Sequence, residues 1–319
     1  MHDGEEYIFE AEFVPSRHAN VLAEIVALRD QKQGWGTGLT ALIVSLLLFV
    51  GLGAAAWDWK FVLLLIPILL FHEMGHLLAM RWCNYRNLRM FFIPLLGAAV
   101  SGQNYNVPGW KKVIVSLMGP LPGIAFGIVI GLVAASFEQP LLLEAAILML
   151  FLNGFNLLPL LPLDGGWVMH AIIFSRHYLL DVGFRFAAAS LLLGGGLAIG
   201  DWFLTIIGVF MLMGITTSYR VARIVGVLRG EGFTSASDDN ESIPINVAER
   251  ILDELVLAFP TGLNDRLLAK FAGNVFEALN ARPPNAVASV LFLALHLASF
   301  LTALVFAFVF IAIKGQAIP

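Results

Sequence analysis

A chain of 319 residues that is 59% hydrophobic and only 13% charged, with a mean hydropathy of +0.83, has too few polar groups to clothe a water-soluble fold of its size. It reads as an all-α polytopic membrane protein with about six to seven transmembrane helices. The single cysteine, Cys83, excludes an intrachain disulfide and most cysteine-based metal sites, and no nucleic-acid partner is expected.

The chain opens with a polar arm, residues 1 to 37, too acidic at its start to resemble a signal peptide. Within it "SRHANVLAEIVALRDQ" has the pattern of an amphipathic helix suited to a membrane surface, or of a solvated extension. Apolar runs follow at about 39 to 57, 60 to 82, 113 to 137, 140 to 163, 184 to 200, 202 to 218 and 285 to 313. Most approach or exceed the roughly 18 to 20 residues that span a bilayer as helix, the fifth being short. Between the second and third, "NLRMFFIPLLGAAVSGQNYNVPGWKK" holds apolar pieces too short to cross. Its prolines and glycines predict a re-entrant loop or small β hairpin shielded by protein. The fourth run is broken near its end by "NGFNLLPLLPLDGG", where prolines and a glycine pair stop a continuous helix.

Residues 229 to 284 form the soluble insertion. An acidic linker, "GEGFTSASDDNESIP", precedes a stretch whose apolar residues keep helical spacing, so two or more short amphipathic helices are expected there. The chain thus divides into an N-terminal arm (1–37), a membrane core (38–228), this insertion (229–284), which is a candidate site for a regulatory partner, and a C-terminal membrane helix (285–319). With the arm in the cytoplasm, seventeen of the nineteen Lys and Arg residues fall on that side, leaving only Lys60 and Lys314 outside. A cytoplasmic N-terminus, in a prokaryotic inner membrane, is the orientation expected. His296, in the last run, is expected to hydrogen bond to a neighbouring helix.

The chemistry concentrates in "FHEMGHLLAM", residues 71 to 80. His72 and His76 lie four apart, so on a helix both imidazoles leave one face and can hold one metal ion. Glu73 stands beside them, placed to take a proton from a water polarised by the metal. A catalytic zinc site needs a third protein ligand. Glu138 and Glu144 would suit, but the topology puts them at the opposite end of the fourth run from the histidines. Asp164, in "LPLDGG", comes at matching depth on the broken segment and has no cationic partner nearby in sequence. Asp164 is the expected third ligand, and a glutamate-ligated site is the rival.

His72-Glu73-x-x-His76 followed by Asn156-x-x-Pro159-x-x-x-Leu163-Asp164-Gly165 resembles the site-2 protease family of intramembrane zinc metalloproteases. "MFFIPLLGAAVSG" is similar to that family's loop between the two motifs, and "VSLMGPLPG" to its Gly-Pro helix start, so the resemblance covers about residues 38 to 220. It implies one Zn2+ per chain on His72, His76 and Asp164, Glu73 as the catalytic carboxylate and Asn156 near the reacting carbonyl. It also implies a membrane-anchored protein substrate cut in or near its transmembrane segment, within the lipid bilayer. Asn156 could stabilise an oxyanion or cap the helix break. The chain departs from the family at "GPLPG", where an asparagine is usual after Gly-Pro-Leu. The competing function is a metal-binding membrane transporter, or a catalytically inactive relative that binds substrate helices without cutting them.

Overall fold

The computed structural model describes residues 17–30, 35–95, 97–103, 107–233, 244–259 and 263–316. Residues 1–16 of the arm, and 234–243, which hold most of the expected acidic linker, lie outside the described residues.

In chain order the elements are α1 (Arg17–Asp30), α2 (Trp35–Ala56), α3 (Trp59–Trp82), β1 (Arg86–Ile93), β2 (Gly97–Gln103), α4 (Gly109–Leu117) and α5 (Pro120–Ser136). Then come α6 (Pro140–Asn156), α7 (Asp164–Ile172), a 3-10 turn at Phe174–Arg176, α8 (Tyr178–Ile199), α9 (Trp202–Gly230), α10 (Ile245–Ala258), α11 (Asp265–Leu279) and α12 (Ala286–Gln316). Six stretches among the described residues are long and apolar enough to cross a membrane: Gly38–Ala56, Trp59–Trp82, Gly109–Ser136, Tyr178–Ile199, Trp202–Gly230 and Ala286–Gln316. The 17-residue α6 is a shorter apolar helix. Aspartates start two of the long helices. Asp58 accepts from the backbone N–H of Lys60 at 2.8 Å, and Asp201 accepts from those of Phe203 and Leu204 at 2.9 Å.

The region between the second and third runs is a two-stranded antiparallel hairpin, with Met90 opposite Val100 and Phe92 opposite Ala98. It is pinned to α2, where the Ser45 hydroxyl accepts from the Phe92 N–H at 3.0 Å. The third span is broken in two. α4 ends at Leu117 and α5 restarts with Pro120 in its first turn, a position that tolerates the missing N–H. Gly75 of α3 sits against this break, and a Cβ there would run into the Met118 carbonyl; only a glycine lets α3 approach so closely. The fourth run also breaks, with α6 stopping at Asn156 and α7 beginning at Asp164.

Three of the four apolar clusters among the described residues hold most of these pieces. One joins α4, α5, α6, α7 and α12 through Leu117, Leu150, Val168 and Phe310, each at most 2% exposed. A second packs α2, α3 and β1 through Phe49, Val62 and Phe92. The third gathers α1, α10 and α11 around the end of α9, where Val21 of α1 packs with Leu228 of α9, Ile251 and Leu255 of α10, and Leu268 and Val275 of α11. The amphipathic α1 therefore spends its apolar face on the insertion rather than on a membrane surface, and α9 runs unbroken for 29 residues into that bundle.

Two further expectations shift. The short fifth run is the C-terminal part of a 22-residue helix, whose first turns hold Asp181 and Arg185, which lower its hydropathy and satisfy each other at 2.9 Å one turn apart. His296 is 2% exposed but its Nδ1 has no partner among the described residues, so the expected interhelical hydrogen bond at that atom is absent.

Candidate metal centre

α3 delivers His72, Glu73 and His76 to the interior, at 3%, 6% and 7% exposure. Each histidine is oriented by its second ring nitrogen. His72 Nδ1 lies 2.8 Å from Asn153 Oδ1, and His76 Nδ1 lies 2.8 Å from the Val115 carbonyl. Both partners are acceptors; the Asn153 amide is fixed in that sense because its Nδ2 donates to the Met149 carbonyl at 2.7 Å. Both Nδ1 atoms therefore carry the proton, and both Nε2 atoms turn a lone pair inward. Val115, in the last turn of α4 before the break, supplies this carbonyl.

Asp164, first residue of α7, completes the arrangement. Its Oδ2 lies 3.1 Å from His72 Nε2 and 3.2 Å from His76 Nε2, and the two nitrogens are 3.1 Å apart. α7 can fold back so tightly because the next residue is Gly165, where a side chain would meet the Leu157 carbonyl. Two nitrogens and a carboxylate oxygen thus converge on one point, and Asp164 Oδ2 has no hydrogen-bond partner among the described residues. That is unfavourable for the protein alone and is what a cation requires. The residues fit zinc: nitrogen and oxygen arms of about 2.0 to 2.2 Å in a tetrahedron leave ligand atoms about 3.3 Å apart, close to the separations here. His72, His76 and Asp164 form the metal-competent group found among the described residues. Glu144 instead pairs with Lys314 at 2.8 Å, and it does not line the cavity on which the three residues open.

The model of peptidase family M50 matches residues 60–144. A zinc metalloprotease of Methanocaldococcus jannaschii is 27% identical over 203 residues, covering 59% of this chain and 58% of that protein. Stage IV sporulation protein FB of Bacillus subtilis is 28% identical over 137 residues, 41% of this chain and 46% of that one. Over the residues these matches cover, the chain is similar to the M50, or site-2, family of intramembrane zinc metalloproteases. It aligns over about half the length of these curated relatives, and no solved structure matches it significantly.

The centre opens on a cavity of about 1180 Å³. Glu73 and Asn156 both line it. The Glu73 carboxylate accepts from the Val100 N–H of β2, which ties the hairpin to the site. Asn156, in the last turn of α6, donates from Nδ2 to the Leu152 carbonyl at 3.3 Å. The residue that sequence reasoning missed is Asn153. It is fully buried, lies against Gly123 and orients His72. The signal was present as a second asparagine one turn before Asn156 on an apolar helix, but which of the two faces His72 depends on how α6 is rotated. Removing such an outer partner typically weakens metal binding by about 10 to 100-fold. Asn153→Ala is expected to loosen zinc by that factor in a competition titration against a chelator; unchanged affinity would mean the ring is held by packing alone.

Proposed function

We propose that the protein is an intramembrane zinc metalloprotease that cuts a membrane-anchored protein in or near its transmembrane segment. The observation that carries this reading is the convergence of His72 Nε2, His76 Nε2 and Asp164 Oδ2 beside a buried carboxylate, Glu73, on a common cavity. One zinc ion held by these three residues would supply Lewis acidity, acidifying a water toward neutrality and polarising a peptide carbonyl.

Glu73 takes the proton of the attacking water and returns it to the leaving amine, with the Val100 N–H holding its carboxylate in place. Asn156 stands at the open end of α6; its Nδ2, shared at 3.3 Å with its own helix, is the side-chain donor we assign to the carbonyl oxygen as charge builds there. β2 pairs with β1 along one edge only, and Gly97 to Val100 line the cavity. An unwound substrate can add to the other edge as a strand, which frees its carbonyls for attack. Across the cavity stands α9, at Thr217, Ser218 and Val221. The N-terminus and the insertion lie in the cytoplasm in this reading, which places the protein in a prokaryotic inner membrane with the positive charge inside.

Purified protein in nanodiscs, given a transmembrane reporter, is expected to cleave it, to stop on chelation, and to recover with one zinc per chain. Zinc flux into liposomes without cleavage of any reporter would replace the protease reading with the transporter one.

A further inference from the structure

α11 has two working faces. Leu268, Ala272, Val275 and Leu279 bury one in the bundle around the end of α9. Phe271, Asn274 and Ala278 at helical spacing, with Ala281 just past the helix end and Glu277 beside them, line the same cavity as the metal ligands, Phe271 and Ala278 at the border with the bundle. The helix is held there as a wall: Arg229 of α9 donates to the Ala278 carbonyl at 2.9 Å, and the Gly109 N–H at the start of α4 donates to the Arg282 carbonyl at 2.8 Å. The insertion therefore contributes part of the chamber that opens on the site, on the side that carries most of the chain's positive charge.

The charges on this part of the wall are unequal in how firmly they are held. Asp181 is taken twice, by His170 and Arg185, each at 2.9 Å. Arg229 is satisfied by a carbonyl. Glu277 is held by Lys112 alone among the described residues, through one oxygen at 2.6 Å, with its side chain 41% exposed. Burial and this nearby carboxylate push the Tyr85 phenol upward, so Tyr85 at the foot of the hairpin faces the same acid as a neutral group. An ion pair this exposed contributes under about 1 kcal/mol, so another cation can take the place of Lys112 at little cost.

Resting on the protease reading, we propose that the cavity face of α11 receives the basic juxtamembrane segment of the substrate, with Glu277 as its acceptor and Lys112 as the placeholder it displaces. A membrane-anchored protein is enriched in Lys and Arg on the cytoplasmic flank of its span. That flank passes α11 when the adjoining transmembrane residues reach His72, His76 and Asp164. The apolar Phe271 and small Ala278 and Ala281 leave room for an extended chain carrying long side chains.

The test uses two reporters that differ only in a lysine-rich or glutamate-rich cytoplasmic flank. Wild type is expected to favour the basic one by about fivefold in kcat/KM, the scale of one partly exposed ion pair. Glu277→Gln should abolish the preference, Glu277→Lys reverse it, and Lys112→Ala strengthen it through KM. An unchanged ratio across all three variants overturns the proposal. Binding of the same two peptides to Glu73→Gln protein separates this from the protease reading: charge-dependent binding without cleavage by wild type would sink only the latter.

Discussion

Glu73→Gln is expected to retain one zinc per chain while cleavage falls by about 10² to 10⁴-fold in kcat, the usual contribution of a positioned general base. Glutamine has nearly the same shape, and its Oε1 can still accept from the Val100 N–H that the carboxylate uses. The three converging ligand atoms belong to other residues, so the metal site loses nothing. What disappears is the group able to take a proton, because an amide oxygen is far too weak a base. Metal content measured beside turnover separates the roles. Loss of zinc would make Glu73 a ligand, and retained turnover would place the base elsewhere on the cavity wall. KM for the reporter should change little, since Glu73, 6% exposed, meets the reacting water rather than the bulk of the substrate.

The parts of the site that the sequence made legible are those fixed by local geometry. His72 and His76 share a helix face whatever surrounds them, and four residues of spacing suffice to predict that they meet. Asp164 could be reached because prolines and glycines announce a broken segment, and an aspartate in an apolar stretch needs a partner. Asn153 was out of reach because its role depends on the rotation of α6 against α3, a tertiary quantity that an evenly apolar helix does not encode. The same holds for α1. Its amphipathic pattern announces an apolar face, but a membrane surface and a protein groove present identical demands, and only the packing of Val21 against the bundle decides between them. Asp181 and Arg185 shortened an expected span for a related reason: read singly they oppose membrane insertion, whereas paired, and joined by His170, they do not. The cavity face of α11 was hidden because Phe271, Asn274 and Ala278 lack a common chemistry; they share only a direction.

Asp164→Asn is expected to abolish stoichiometric zinc and leave a protein that is no less stable than the metal-free wild type. The sign follows from the protons. With both Nδ1 atoms turned to Asn153 and Val115, His72 Nε2, His76 Nε2 and Asp164 Oδ2 are left 3.1 to 3.2 Å apart and need a cation, a metal or a proton, between them. An asparagine amide turned inward places N–H donors against those two lone pairs, so the variant satisfies unaided what the wild type satisfies through a cation. It also removes a negative ligand from zinc, and the loss should exceed the roughly 10 to 100-fold that outer partners contribute. Thermal unfolding with and without zinc gives the readout. At a free zinc concentration 100 times the dissociation constant, binding adds about 2.7 kcal/mol to the wild type, and the variant should show no such gain. A zinc-dependent rise in melting temperature equal to that of the wild type would move the third ligand to another residue. A metal-free variant that melts well below metal-free wild type would mean that in the metal-free protein Asp164 is paired with a histidine protonated on both ring nitrogens.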